Sequence, residues 1–202
     1  MSMVEKANPN LAPDPWVQKY ASLIPAGPVL DLACGNGRHG RYFLDLGYPV
    51  TFVDKETSGV GDLSIHKNAE LMTYDLESSY LGNPDCENYD LESNNLKKTA
   101  PERNVPWPYK ENQFSGIVIT NYLYRPLFSH LKATVKPGGI IIYKTFSVGN
   151  EKFGRPRNPN FLLQEDELRT VFSKQFRELA FFQGLETNPE RMTQAICVQR
   201  NI

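Results

Sequence analysis

Cysteine is scarce in this chain of 202 residues. Cys34, Cys86 and Cys197 form an odd, widely spaced set without a Cys-x-x-Cys, so neither a disulfide framework nor a zinc site is indicated. Histidine is as sparse: His39, His66 and His130 stand apart at no ligand spacing, and three structural histidines with no metal are expected. Long apolar runs are also missing. Stretches such as Gly139–Tyr143 fall far below the ~20 residues of a membrane span, and the first residues lack the apolar core of a signal peptide. The expectation is a cytoplasmic, reducing location with no membrane contact. Net charge is nearly absent too, with 22 Lys+Arg against 23 Asp+Glu. That balance argues against a generic polyanion binder and does not favour nucleic acid as a partner.

What is present is an alternation of short apolar strands and amphipathic helices. Residues 1–13 are polar and proline-bearing and read as a loose tail. Asp14-Pro15 is an N-cap and first-turn signal for a helix carrying Trp16, Tyr20, Leu23 and Ile24, which Pro25 ends. Strands are expected at Pro28–Ala33, Val50–Val53, Glu70–Tyr74, Phe114–Thr120 and Ile140–Thr145. Helices fall between them at about Gly37–Leu46, Val60–Ile65 (weak), Pro126–Val135 and Gln164–Ser173, with Lys136-Pro-Gly-Gly139 closing the third. Phe176–Phe182 and Met192–Gln199 read as a closing antiparallel hairpin. This pattern gives one α/β domain over 14–202 with a mainly parallel sheet. A polar insertion at about 78–104 interrupts it, longer than the ~12–15 residues at which unstructured loops become uncommon. Within it Tyr89-Asp-Leu-Glu-Ser93 repeats Tyr74-Asp-Leu-Glu-Ser78. The first copy follows a strand, so Asp75 takes the sheet-edge role and Asp90 is read as a solvated loop residue.

The chemistry concentrates in Val29-Leu-Asp-Leu-Ala-Cys-Gly-Asn-Gly-Arg-His-Gly40, a strand running through a glycine turn into a helix. Gly35, Gly37 and Gly40 spell G-x-G-x-x-G, and Asp54 follows nineteen residues after Gly35 at the end of the next strand. Alone, this fits any adenosine-containing cofactor laid across strand ends. Asp31 discriminates. An acid four residues before Gly35 would oppose the diphosphate of NAD, whereas S-adenosylmethionine carries no phosphate and presents an ammonium and a sulfonium.

With Asp-x-Ala-Cys-Gly-x-Gly, an acid after the second strand, Asp-Leu after the third, Lys-Pro-Gly-Gly before the fifth and a terminal hairpin, the chain resembles class I S-adenosylmethionine-dependent methyltransferases from about Pro28 to Arg200. The resemblance implies a Rossmann-like sandwich whose seven-stranded sheet has the order 3-2-1-4-5-7-6, strand 7 antiparallel, with helices on both faces. It also implies Asp31 near the methionine amino group, and Ala33, Gly35 and Gly37 under the cofactor. Asp54 would lie on the ribose, Asp75 and Leu76 at the adenine, and Asn121 beside the methyl group. The product would be S-adenosylhomocysteine. More narrowly, Asn121–Pro126 and Lys144–Pro159 are similar to small bacterial tellurite-resistance-like methyltransferases, although Lys144 stands where such relatives would carry an acid.

Methyl transfer from a sulfonium is an in-line displacement that demands alignment and water exclusion more than a dedicated base. Tyr122, Tyr124 and Arg125 are the catalytic candidates; the tyrosines either serve the acceptor or pack the following helix. Arg125, Asn150, Arg155 and Arg157 are the substrate-binding candidates, the last three on a loop that is either an ordinary connection or, the favoured reading, a lid over the acceptor. Residues 1–100 hold 8 Lys+Arg against 14 Asp+Glu, and residues 101–202 hold 14 against 9. An acidic half for a cationic cofactor and a basic half for the acceptor suggest a small anionic molecule. Two rival readings stay open: a non-catalytic S-adenosylmethionine-binding protein on the same scaffold, and an NAD-dependent oxidoreductase.

Overall fold

A computed structural model describes residues 12–77 and 107–202. The insertion at 78–104, Asp90 within it, and all but the last two residues of the 1–13 tail lie outside the described residues.

Seven strands form one sheet in the order β3-β2-β1-β4-β5-β7-β6, as the resemblance implies. They are β1 (Val29–Leu32), β2 (Val50–Asp54), β3 (Ala69–Thr73), β4 (Phe114–Thr120), β5 (Val135–Phe146), β6 (Phe176–Glu186) and β7 (Arg191–Arg200). The first five run parallel, and β7 is antiparallel to both β5 and β6. The central strands are apolar on both faces because helices cover both: all four residues of β1 are buried. On one face α1 (Pro15–Tyr20) and α2 (Arg38–Asp45) pack over Val29, Phe52, Val118 and Ile142. On the other, α3 (Phe128–Thr134) and α4 (Glu167–Phe172) cover Leu30, Ile117, Ile141 and Tyr143.

Several boundaries differ from the sequence reading, each for a local reason. Asp14 caps α1 through its carboxylate, which accepts from Trp16 N at 2.8 Å, but the helix tightens into a 3-10 turn at Ala21–Leu23 before Pro25. The weak helix after β2 is a 3-10 run, Ser58–Ile65. Lys136-Pro-Gly-Gly139 does not separate helix from strand. It is an excursion inside β5, between the rungs Phe114↔Val135 and Gly116↔Ile140. The terminal hairpin is longer than expected because pairing continues through Glu186↔Arg191. Trp16 packs against the sheet, its indole N–H donating to Ile196 O at 3.4 Å. Among the described residues, no helix is long and apolar enough to cross a membrane.

Candidate functional site

Five parallel strands bring their C-terminal ends to one edge, where an open α/β sheet forms its crevice. The glycine turn after β1 is built from left-handed residues: Ala33, Gly35 and Gly37 have φ of 53°, 54° and 70°. Ala33 holds this conformation without the freedom of glycine, a local strain of the kind that gathers at ligand sites. A side chain at Gly35 would meet nothing within 4 Å, so the turn offers bare backbone to open space. Beneath the turn the packing is tight. A Cβ at Gly37 would stand 2.4 Å from Val60 Cγ1, and one at Gly40 would stand 2.1 Å from Phe52 Cε1.

Asp54, at the end of β2, reaches the turn directly, with Oδ2 accepting from Gly35 N at 2.9 Å and Oδ1 from Glu56 N at 3.2 Å. Asp75 is exposed just past β3 and accepts from Glu77 N at 2.9 Å. Leu76 turns inward and is buried in the core cluster with Leu123. Asn121 is exposed at the exit of β4 in a left-handed corner, φ 55°, held by its N–H donating to Lys144 O at 2.9 Å. The geometry therefore gathers Ala33, Gly35, Gly37, Asp54, Asp75 and Asn121 along one rim.

Asp31, near the end of β1, is engaged inside the fold. It is 2% exposed, and its Oδ2 accepts from Gly40 N, inside α2, at 2.7 Å. Its first partner is the helix behind the turn. Burial pushes its carboxyl up to about 7, against the lowering effects of the Gly40 hydrogen bond and Arg38. His39, the neighbouring group on α2, moves the other way: burial, reinforced by Arg38, lowers it to about 4.

The two shifts have opposite consequences. Between about pH 4 and 6.5 the unfolded chain protonates His39 and the native one does not, so stability is lost as pH falls. Asp31 is protonated in the native chain over about pH 3.8–7 but not in the unfolded one, so its contribution is lost as pH rises. Each slope approaches about 1.4 kcal/mol per pH unit, and in the wild type they offset. Denaturation of His39→Gln between pH 4.5 and 6 should show stability rising on acidification, and Asp31→Asn should show a steeper fall than wild type.

The acceptor-side candidates divide. Arg125 does not project toward an acceptor. Its Nε and Nη2 form a fork on Glu167 at 2.7 and 2.9 Å, while Nη1 and Nη2 donate to Asn160 O and Leu162 O at 2.8 and 2.9 Å. That set makes it a clamp closing the loop after β5. Asn150 is 1% exposed and bolts the other end, accepting from Met192 N and donating to Pro156 O. Arg155 and Arg157 are exposed on the loop between these bolts.

Tyr122 and Tyr124 pack against the core cluster under β4 and β5. Burial and the nearby Glu77 carboxylate push the Tyr122 hydroxyl far above its ordinary range. Cys34 is buried, and burial together with Asp31 and Asp54 raises its thiol well beyond nucleophilic use.

Lys144 was a cation of the expected basic half, yet it is 4% exposed. Its ammonium lies 2.9 and 3.0 Å from the two Asp14 oxygens and 2.6 Å from Glu186, with Arg191 closing the cluster on Glu186 at 2.7 Å. Sequence reasoning missed this cluster and the part His39 plays beside it. The partners lie far apart in the chain, and an N-cap signal at Asp14 says nothing of a lysine 130 residues away.

Sheet order, strand-end glycine turn and two-sided helical cover define the fold of class I S-adenosylmethionine-dependent methyltransferases. Within that class, the family model for tellurite resistance protein TehB matches residues 13–96. TehB from Haemophilus influenzae has the same fold, with a TM-score of 0.64 and 19% identity over 92% of this chain, which spans only 61% of that protein. The 1,6-didemethyltoxoflavin-N1-methyltransferase of Burkholderia thailandensis was solved with its namesake 1,6-didemethyltoxoflavin and S-adenosylhomocysteine bound. It gives a TM-score of 0.60 at 16% identity, covering 93% of this chain and 76% of that one. The N-methyltransferase NodS from Bradyrhizobium japonicum gives 0.61 at 12% identity, covering 93% of both chains. No curated protein matches by sequence at a significant level. At these identities the likeness is one of fold.

Proposed function

We propose that residues 14–202 act as one S-adenosylmethionine-dependent methyltransferase domain that methylates a small anionic acceptor, in a cytoplasmic setting. The observation that carries the reading is the left-handed turn at Ala33–Gly37, bare over Gly35, with the Asp54 carboxylate against it. This is a cradle a single Cβ would begin to fill, and its acid suits ribose hydroxyls rather than a phosphate. Asp75 and the backbone at Leu76, whose side chain is buried in the core, would border the adenine and Asn121 the reacting end. The cofactor supplies a methyl group activated on a sulfonium. The chain's part is to hold and align it and to exclude water, which needs no dedicated base. Arg155 and Arg157, exposed between the bolts made by Asn150 and Arg125, support an anionic acceptor.

Thermal melts test the cofactor. S-adenosylhomocysteine at ~100 times its dissociation constant should add ~2.7 kcal/mol of stability, and a shift with NAD or NADP alone would overturn the reading in favour of an oxidoreductase. Asp54→Ala should weaken S-adenosylhomocysteine by about 1.5–3 kcal/mol in calorimetry; unchanged affinity removes Asp54 from the site. Incubation with methyl-labelled cofactor and a metabolite extract separates enzyme from binder, since label should move to a small molecule and fail to move if the protein only binds. Transfer that ignores ionic strength would count against an anionic acceptor.

A further inference from the structure

One buried side chain on α2 reaches both the N-cap of α1 and the end of β4, behind the reacting end of the site. His39 is 3% exposed and sits two residues into the helix capped by Gly37, the last residue of the glycine turn. Its Nε2 lies 3.3 Å from Asp14 N at the N-cap of α1, and its Nδ1 lies 3.3 Å from Thr120 Oγ1 at the end of β4. A backbone N–H can only donate, so Nε2 is the acceptor. The ring is then the neutral tautomer with its proton on Nδ1, donating to Thr120.

The contacts close on themselves. The Asp14 carboxylate holds Lys144 on β5, and Lys144 is the strand partner of Thr120. Thr120 immediately precedes Asn121, whose left-handed corner hangs from the Lys144 carbonyl. A closed circuit of four residues, His39, Thr120, Lys144 and Asp14, linked by two side-chain contacts, one strand pairing and the Asp14 backbone N–H, therefore ties α2, β4, β5 and α1 together under the rim.

We propose that His39 is a positioning residue for cofactor binding, holding the Asn121 corner in register with the glycine turn through its neutral Nδ1–H tautomer. This rests on the methyltransferase reading and deepens it, because the same side chain fixes the two segments between which the methionine end of the cofactor would lie. The role requires one acceptor and one donor at fixed separation. Gln can supply both from its amide and Ala neither.

The charged groups facing the ring are Arg38 on its own helix, Asp14 at the N-cap of α1 and Lys144 on β5. A second proton on the ring would confront the Asp14 N–H with a donor, and the Asp14 charge is already committed to Lys144.

The test measures S-adenosylhomocysteine affinity by calorimetry at pH 7.5, at a temperature where circular dichroism shows every variant folded. His39→Ala should weaken binding at least tenfold, His39→Gln should recover most of that loss, and Thr120→Val should weaken binding too. The double variant His39→Ala/Thr120→Val should lose no more than the worse single variant, because both cut the same link. Nitrogen-15 NMR of the wild-type imidazole should show a protonated Nδ1 and a bare Nε2, with the signals shifting on saturation with S-adenosylhomocysteine. Should His39→Ala fail to fold, Thr120→Val and the NMR signature still decide. Wild-type affinity in His39→Ala, additive losses in the double variant, or a ring that does not respond to ligand would overturn the positioning role. If the wild type itself binds no S-adenosylhomocysteine, the methyltransferase reading fails first, and the two failures are told apart by that control.

Discussion

Lys144→Ala is expected to lower the unfolding free energy by about 3–5 kcal/mol, the range seen when one partner of a buried ion pair is removed. The reason lies in what remains. Asp14 is 5% exposed, and its carboxyl is held below its ordinary value by Lys144 against the opposing effect of burial. Without the ammonium, Asp14 and the partly exposed Glu186 are left as two carboxylates with one cation between them, Arg191, 3.6 Å from one and 2.7 Å from the other. The damage should spread through Asp14, because the same residue caps α1 through Trp16 N and meets His39 through its own N–H. Urea denaturation of Lys144→Ala, Asp14→Ala and Asp14→Ala/Lys144→Met measures this. The double variant should be more stable than Lys144→Ala, since replacing both charges abolishes the stranded carboxylate while Met refills the volume of the lysine stem. A loss below about 1 kcal/mol in Lys144→Ala would show that water reaches the cluster and that it behaves as a surface pair.

The sheet was legible because its determinants are local. Four buried residues in Val29–Leu32, a glycine turn and the next apolar strand specify a βαβ unit from neighbouring residues alone, and the terminal hairpin follows from its alternation. The rim was legible for the same reason: Gly35, Asp54, Asp75 and Asn121 each sit at a strand end, and strand ends can be read. The charges were not. Arg125 and Glu167 are 42 residues apart, Lys144 and Asp14 are 130 apart, and no spacing rule links them. The basic excess of the second half therefore overstated what an acceptor could meet. Arg125 is neutralised by Glu167, Lys144 by Asp14 and Glu186, and Arg169 by Glu178. Lys152, Arg155 and Arg157 remain exposed on the loop after β5, so the argument for an anionic acceptor narrows to that loop. The direction of the Asp31 carboxylate was hidden for a related reason. Its position in the motif is visible, but whether the carboxylate looks up at a ligand or back into α2 depends on packing.

Gly40→Ala is expected to cost about 3 kcal/mol, the upper part of the usual range for overpacking, and to weaken S-adenosylhomocysteine binding with it. The added Cβ would lie 2.1, 2.6 and 2.8 Å from Phe52 Cε1, Cζ and Cδ1. Phe52 is fully buried in the middle of β2, so its ring cannot swing away as a surface side chain would. Relief must come from α2 lifting off the sheet. That movement would lengthen the hydrogen bond from Gly40 N to Asp31, 2.7 Å in the wild type, and displace Gly37, whose own Cβ position is 3.0 Å from the same ring. One aromatic side chain on β2 thus forms the floor on which the second and third glycines of the motif rest. The partner variant separates steric cause from lost glycine flexibility. Phe52→Leu alone should be destabilising through lost ring volume, yet Gly40→Ala/Phe52→Leu should be more stable than the sum of the single losses, because the smaller side chain makes room for the methyl group. Gly40 lies in helical backbone and has no positive φ, so Ala there should otherwise help the helix. Additive losses in the double variant, measured by urea denaturation, would show that Phe52 is not what excludes a side chain at position 40.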